Sequence, residues 1–390
     1  MAPGPLSGVR VVELAGMGPA PFAAMMLAEL GADVIKVDRP SAEALGPSPE
    51  TNPLNRGRPS VMVDLKSPRG VQAVLRLVET ADVFIEGFRP GVAERLGLGP
   101  DVLLSRRPQL VYGRMTGWGQ EGPLAHTAGH DLTYLSVTGV LHAIGPSDAP
   151  AIPLNVVGDF GGGALYLVVG VLAALYDARE SGQGQVVDAA IVDGVAHLAT
   201  SIHGLLGAGL WRDEREHNLL DGGVPYYATY ETSDGRHLAV APLEPRFYAD
   251  FERLLAPPER LPDRDDPKKW PALRTAIAAR IKELTQQEWV DVFDGTDACV
   301  VPVVGLAEAA HHPHLAARGT LTHNGRGPVA APAPRFSRTP TEPGTPARWP
   351  GEDTRAALER WGLEDVDGLL ACGAVVQAEA RENRAEEESA

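Results

Sequence analysis

Hydrophobic and polar positions follow two alternating rhythms along the first third of the chain. Val9-Arg10-Val11-Val12-Glu13-Leu14 is a nearly continuous apolar run and reads as a buried strand. Residues 16–21 are a Gly/Pro turn, and Phe22 to Leu30 carries a helical pattern that Gly31 stops. Asp33 to Val37 reads as a second strand, Val83 to Glu86 as a third, and Leu110 to Gly113 as a fourth. Between them, Val71, Val74, Leu75 and Val78 share one helical face, and Asp101 to Arg106 is a short helix. Strands alternating with helices predict an α/β fold with a parallel sheet covered on both faces. Such sheets bind ligands at the carboxyl ends of their strands.

The rhythm changes in the middle. Phe160 to Tyr176 is uncharged over 17 residues and bounded by Asp159 and Asp177. That length is at the bottom of the membrane-spanning range, and with three glycines at its start it reads as a buried helix of a large core. Gln185 to Ile191 reads as a strand and Val192 to Leu210 as helical. Tyr226 to Glu231 and Arg236 to Ala241 form a hairpin through Asp234-Gly235. Leu273, Ile277, Ile281 and Leu284 keep helical spacing, and Thr285-Gln286-Gln287-Glu288 is a capping box that opens another helix. This stretch, 223–305, reads as a second, smaller α+β domain. Residues 324–352, rich in Pro, Gly and Ala, read as an extended return across the surface, and the acidic tail 376–390 as frayed or disordered.

Charge narrows the function classes. Against 35 Lys and Arg stand 51 Asp and Glu, a net charge of −16, which argues against general nucleic-acid binding. The two cysteines, Cys299 and Cys372, have no metal-ligand spacing, and His311-His312-Pro313-His314 reads as a surface turn, so no metal site is expected. The first residues carry no basic segment followed by an apolar one, and a cytoplasmic location is the expectation.

Several short motifs point to a phosphorylated ligand. Gly16-x-Gly18-x-x-Pro21 follows a strand but lacks the third glycine, and its prolines remove N–H groups that a dinucleotide would need. Arg39, at the end of the second strand, suits a phosphate better. Arg56, Arg58, Lys66 and Arg89 lie near other turns and, with Arg39, fit one phosphate-binding lip. His130 lies in a Gly-rich stretch after the fourth strand, and Asp131 beside it reads as a helix cap. Asp159 opens the long apolar helix as an N-cap, followed by Gly161, Gly162 and Gly163. Three glycines in a first turn cost roughly 1 kcal/mol each, so a function is expected of them. Bare N–H groups there would serve an anion.

Together these segments resemble a known family. Leu14-Ala15-Gly16, residues 31–37, Asp64-Leu65-Lys66, residues 87–91 and Gly158-Asp159 are similar to the class III CoA-transferase (CaiB/BaiF) family. Residues 115–120, Ala128-Gly129-His130-Asp131 and residues 153–163 resemble its racemase branch, which inverts the α-carbon of 2-methylacyl-CoA thioesters. Residues 220–227 and 297–303 fit as well. The resemblance implies a large Rossmann-like CoA-binding domain over 1–190 and 325–375, linkers at 191–222 and 306–324, and an inserted small domain. It implies an interlocked homodimer with shared active sites, an acyl-CoA substrate, no separate cofactor, and no nucleic-acid or membrane partner.

Carried over by position, the resemblance makes His130 and Asp159 the two acid/base residues. Glu244 becomes the small-domain carboxylate that supports the histidine, and Asn155 holds the site near Asp159. Arg39 and Arg89 meet the CoA phosphates. Lys66, Arg58 and Arg56 are further candidates there, and Gly16, Tyr134 and Asp131 are substrate contacts. Met17 and Met25 or Met26 are candidates for an apolar acyl surface. The alternative implied by the same family is transfer of CoA to a carboxylic acid through an acyl intermediate on Asp159. The histidine favours the racemase, because inversion needs a proton acceptor on one face and a donor on the other.

Overall fold

The computed structural model describes residues 4–40, 52–323 and 327–378. Their contacts divide the chain into a large unit (1–138, 154–198 and 329–390) and a small one (139–153 and 199–328). The small unit therefore takes in 199–222 and 306–323 from the stretches expected as linkers, and Gly327, Pro328 and an excursion at 139–153 from the expected large domain.

The large unit is built on one sheet. Its elements are β1 (Arg10–Leu14), α1 (Pro19–Glu29), β2 (Asp33–Asp38), β3 (Ser60–Val63), α2 (Pro68–Glu79), β4 (Val83–Glu86), α3 (Val92–Arg95), α4 (Pro100–Arg106), β5 (Val111–Thr116), α5 (Asp131–Val137), a π-helix (Val156–Ala164) running into α6 (Leu165–Ser181), β6 (Val186–Ala190) and α7 (Ile191–Leu198). The strand order is 3-2-1-4-5-6, all parallel, with Val375–Val376 added antiparallel beside β3. This is the Rossmann-like α/β class expected. The chain leaves β1 first toward β2 and later toward β4, so a topological switch point lies between β1 and β4.

Local chemistry explains the element ends. Val11, Val12 and Leu14 are all buried, as a central strand covered on both faces requires. Helix α1 begins at Pro19, earlier than the turn pattern predicted, because proline is tolerated in a first turn where its missing N–H would have no partner. Helix α2 buries Val74, Leu75 and Val78 of the predicted face, with Val71 partly buried, and buries Ala73 and Leu77 beside it. Strand β3 was not predicted; its four residues are too short to show a period.

The long apolar helix differs from expectation in two ways. It begins at Val156 as a π-helix, so Asp159 lies inside it and is not its N-cap. It is also buried on one face only. Leu167 and Val171 lie over Gly113 of β5 and Gly170 over Val187 of β6, while Val169 and Tyr176 are 65% and 74% exposed.

The small unit holds an antiparallel sheet of Ala228–Glu231, His237–Val240 and Val300–Val303. The first pair is the predicted hairpin. Helices Pro245–Leu255, Trp270–Ile281 and Gln286–Phe293 close its core around Phe251, Leu273, Ile277, Ile281 and Trp289. The region 192–210 forms two helices, α7 of the large unit and Thr200–Gly207 of the small one. The frayed tail expected at 376–390 falls mainly on 379–390, outside the described residues.

Candidate active site

A cleft of about 490 Å³ opens at the carboxyl ends of the parallel strands. Residues 15–20 line it after β1, Arg39 after β2, Gly87 to Pro90 after β4, Met115 to Trp118 after β5, and Ile191 after β6. His130, Asp131 and Tyr134 come from the start of α5, and Asp159 from the π-helix. The cleft thus occupies the switch point between β1 and β4, where this sheet order leaves a crevice.

His130 occupies the N-cap position of α5. Its backbone N–H donates to the Thr133 hydroxyl at 3.0 Å, and that hydroxyl donates back to the His130 carbonyl at 2.7 Å. The expected cap, Asp131, is instead the first helical residue. Its carboxylate accepts the Asp159 backbone N–H at 2.7 Å. Asn155 donates its side-chain amide to Asp159 Oδ2 at 3.4 Å. Burial pushes the Asp159 carboxyl above the usual aspartate range and the Asp131 charge adds to this, while Asn155 and His130 oppose it. Burial also raises Asp131, against the hydrogen bond from Asp159.

The motif glycines are explained by close approach. A Cβ on Gly117 would lie 2.0 Å from the Tyr134 ring, and one on Gly129 would lie 2.5 Å from it. Trp118 packs edge-on against Tyr134 with centroids 4.8 Å apart. A Cβ on Gly158 would fall 2.1 Å from Asp131 Oδ1. The run Gly161-Gly162-Gly163 serves packing and is not a bare anion-binding turn. A Cβ on Gly162 would meet Val195 at 2.6 Å, one on Gly163 would meet Ile191 at 3.0 Å, and one on Gly194 would lie 1.8 Å from the Gly162 carbonyl. The N–H groups of this segment bond along the π-helix, as Phe160 does to Asn155 O and Leu165 to Phe160 O. The expected donors after Asp159 are therefore engaged.

Of the five cations expected at a phosphate lip, two line the cleft. Arg39 and Arg89 are exposed at its edge. Arg58 is buried, bonded to the Glu13 carboxylate and the Leu54 carbonyl. Arg56 donates to Glu29 at 2.6 Å and is nearly buried. Both neutralise carboxylates of the large unit's interior and are committed there. Lys66 is exposed but does not line the cleft. Of the candidate methionines Met17 lines the cleft; Met25 is buried, and Met26, partly buried, does not line it. Gly16, Tyr134 and Asp131 all line it. Glu244 belongs to the small unit, exposed at the N-cap of Pro245–Leu255.

One pair escaped the sequence reading. Glu86 Oε2 accepts the Phe88 N–H at 2.7 Å and Oε1 accepts Arg114 Nε at 3.0 Å, which pins the turn that carries Arg89. Charges inside the apolar runs of β4 and β5 were the available signal, because buried charges need partners. Among the described residues, no group of three or more His, Cys, Asp or Glu side chains is placed to hold a metal ion.

A doubly wound sheet with this cleft defines a class, and sequence comparison gives it a family. The model of CoA-transferase family III matches residues 6–354, and the chain belongs to that family. It is 44% identical over 369 residues to alpha-methylacyl-CoA racemase of Mus musculus, covering 93% of this chain and 95% of that protein. The protein of the same name from Homo sapiens is 42% identical over 363 residues, covering 92% and 94%. Among solved structures, a CAIB/BAIF family protein from Brucella suis superposes with a TM-score of 0.79 at 27% identity, covering 92% of this chain and 99% of that one.

Proposed function

We propose that this protein is a racemase of 2-methylacyl-CoA thioesters, interconverting the 2R and 2S epimers by proton transfer at the α-carbon. The observation that carries the reading is the placement of His130 and Asp159 in one cleft, on separate elements. The thioester carbonyl makes the α-proton weakly acidic. One residue removes it to give an enolate, and the other returns a proton to the opposite face. A carboxyl held above its ordinary range is a better match for an imidazole, so either can start as base. No electrons enter or leave, so the reaction asks for no redox cofactor. Arg39 and Arg89 hold the CoA phosphates at the mouth of the cleft. Names and coverage of the two racemase relatives support the substrate class.

The homodimer expected from the resemblance is part of this reading, with Glu244 supporting the histidine. Apolar side chains left exposed on α6, Val169 and Tyr176, support an additional chain contact. Analytical ultracentrifugation tests it.

The decisive experiment incubates one epimer of a 2-methylacyl-CoA in D₂O without a carboxylic acid acceptor. Deuterium uptake at the α-carbon with approach to an epimer mixture is expected. His130→Ala should lower the rate by about 10²–10⁴-fold, the usual worth of a positioned acid/base. Exchange that begins only when a free acid is added, with a new acyl-CoA appearing, would instead make Asp159 the nucleophile of a CoA-transferase.

A further inference from the structure

We infer that Asp131 is a positioning residue for this proton transfer, its carboxylate clasping the Asp159 backbone so that His130 and Asp159 keep a fixed spacing in the cleft. The inference rests on the racemase reading. His130 and Asp159 are 29 positions apart in sequence and sit on different elements. Asp131 follows His130 directly, and its Oδ1 accepts the Asp159 N–H at 2.7 Å. One short hydrogen bond therefore ties the start of α5 to the residue whose side chain would do the chemistry. Gly158 makes the bond possible, because a Cβ there would lie 2.1 Å from the accepting oxygen. The clasp also uses an N–H that the first turn of a π-helix, bonding five residues back, cannot satisfy internally.

A neutral amide could make the same hydrogen bond, so geometry alone does not call for a carboxylate. Charge separates the two. The groups that bear on Asp159 are Asp131 and His130 from α5 and Asn155 from the head of its own helix. Tyr134 and Arg89 lie further along the same cleft, and the Gly18 backbone of the loop after β1 adds no charge. Asp131 alone in this set opposes ionisation of Asp159 by charge. A second carboxylate keeps a proton on the first to higher pH. A two-base cycle gains from that, because each group must hold the proton in half of the turnovers. The ordinary alternative is that Asp131 serves only as an acidic residue in the first turn of α5, worth a few tenths of a kcal/mol to helix stability.

Asp131→Asn and Asp131→Ala separate these roles. The asparagine keeps an acceptor for the Asp159 N–H and removes the charge. Its kcat should fall about 10-fold and the acid limb of the kcat profile should move to lower pH. The alanine removes the clasp too and should lose about 100-fold in kcat, the scale of a misplaced catalytic group. Carbon-13 NMR of aspartate-labelled protein, assigned by difference from Asp159→Asn, reads the Asp159 titration without substrate. Its midpoint should fall in Asp131→Asn. An unchanged midpoint and acid limb would overturn the charge role, and wild-type kcat in Asp131→Ala would overturn the clasp. If the wild-type protein exchanges no α-proton, the racemase reading fails by itself, and the NMR titration still decides whether Asp131 governs Asp159.

Discussion

The small unit and the cleft-bearing end of the large sheet solve the same problem, burying backbone and side chains, by opposite means. Among the described residues, the buried polar side chains of the small unit are Asn218, Thr232 and Gln286, all neutral. Its core is apolar and aromatic, with Trp289 and Phe293 stacked at 5.5 Å and Phe251 and Phe293 at 6.2 Å. In the large unit, Glu13, Glu29, Lys36, Asp38, Arg58, Glu86 and Arg114 are all buried. Glu13, Lys36, Asp38 and Glu86 lie at or near the carboxyl ends of β1, β2 and β4, whose following turns line the cleft. Asp38, with Lys36 at 3.1 Å and Ser60 Oγ at 2.6 Å, directly precedes Arg39. Buried ion pairs are weak contributors to stability, since desolvation offsets their attraction. Their concentration here argues that they hold turn geometry beside the site, at a cost the small unit does not bear.

The largest test of that contrast is Arg58→Met. It removes the partner of a fully buried carboxylate and keeps the volume. Loss of one member of a buried pair should destabilise the protein by about 3–5 kcal/mol, measured by urea denaturation of the large unit. Burial already holds the Glu13 carboxyl above the ordinary glutamate range, with Arg58 and Lys36 opposing that rise. Without Arg58 the protonated form is favoured further. A raised carboxyl keeps its proton in the folded state, so stability is retained at low pH and lost as pH rises through the folded value. The deficit of Arg58→Met should therefore be greater at pH 8 than at pH 5. Adding Glu13→Gln should recover much of it. A deficit below 1 kcal/mol would mean that the two regions differ in composition only.

Next in size are the exposed cations. Arg39→Ala and Arg89→Ala should each raise KM for acyl-CoA about 10-fold with kcat little changed, the effect of losing one charge-assisted hydrogen bond. Added salt should weaken wild-type binding more than that of either variant. Lys66→Ala, which does not line the cleft, should match the wild type. Equal losses at all three positions would point to overall charge and away from a formed lip.

The same contrast governs what was legible in the residues alone. The strands at 10–14, 33–38 and 83–86, the hairpin through Asp234-Gly235 and the cap at Thr285 rest on neighbouring residues, and each follows from local pattern. His130, Asp159, Arg39 and Arg89 could be picked out because a family motif surrounds each. Arg58 could not be told from Arg39, because its partner Glu13 is 45 positions away and only the fold brings the two together. The glycines at 161–163 read as an anion site for a similar reason. Their purpose is the close passage of α7, and Gly194 on that helix gives no local hint that it must clear the Gly162 carbonyl. The π-helix has no period of its own to read, and the left-handed Leu154 just before it, at φ 58°, belongs to no favoured turn for a bulky residue.

The smallest expected effect tests the regular side of the contrast. Thr285 is the N-cap of Gln286–Phe293; its hydroxyl accepts the Glu288 N–H at 3.3 Å, and Glu288 accepts the Thr285 N–H at 2.8 Å. That reciprocal pair satisfies two donors that a helix start leaves open. The helix carries Trp289 into the small unit's core, where its indole N–H donates to the Ile281 carbonyl at 2.8 Å. Thr285→Ala should cost about 1 kcal/mol, the usual worth of a cap, seen as a lower urea midpoint by far-ultraviolet circular dichroism. KM and kcat should not move, because the substitution leaves every cleft residue in place. A fall in kcat with unchanged stability would show that the small unit serves the reaction through this cap as well as through Glu244, and its core could no longer be read as structural only.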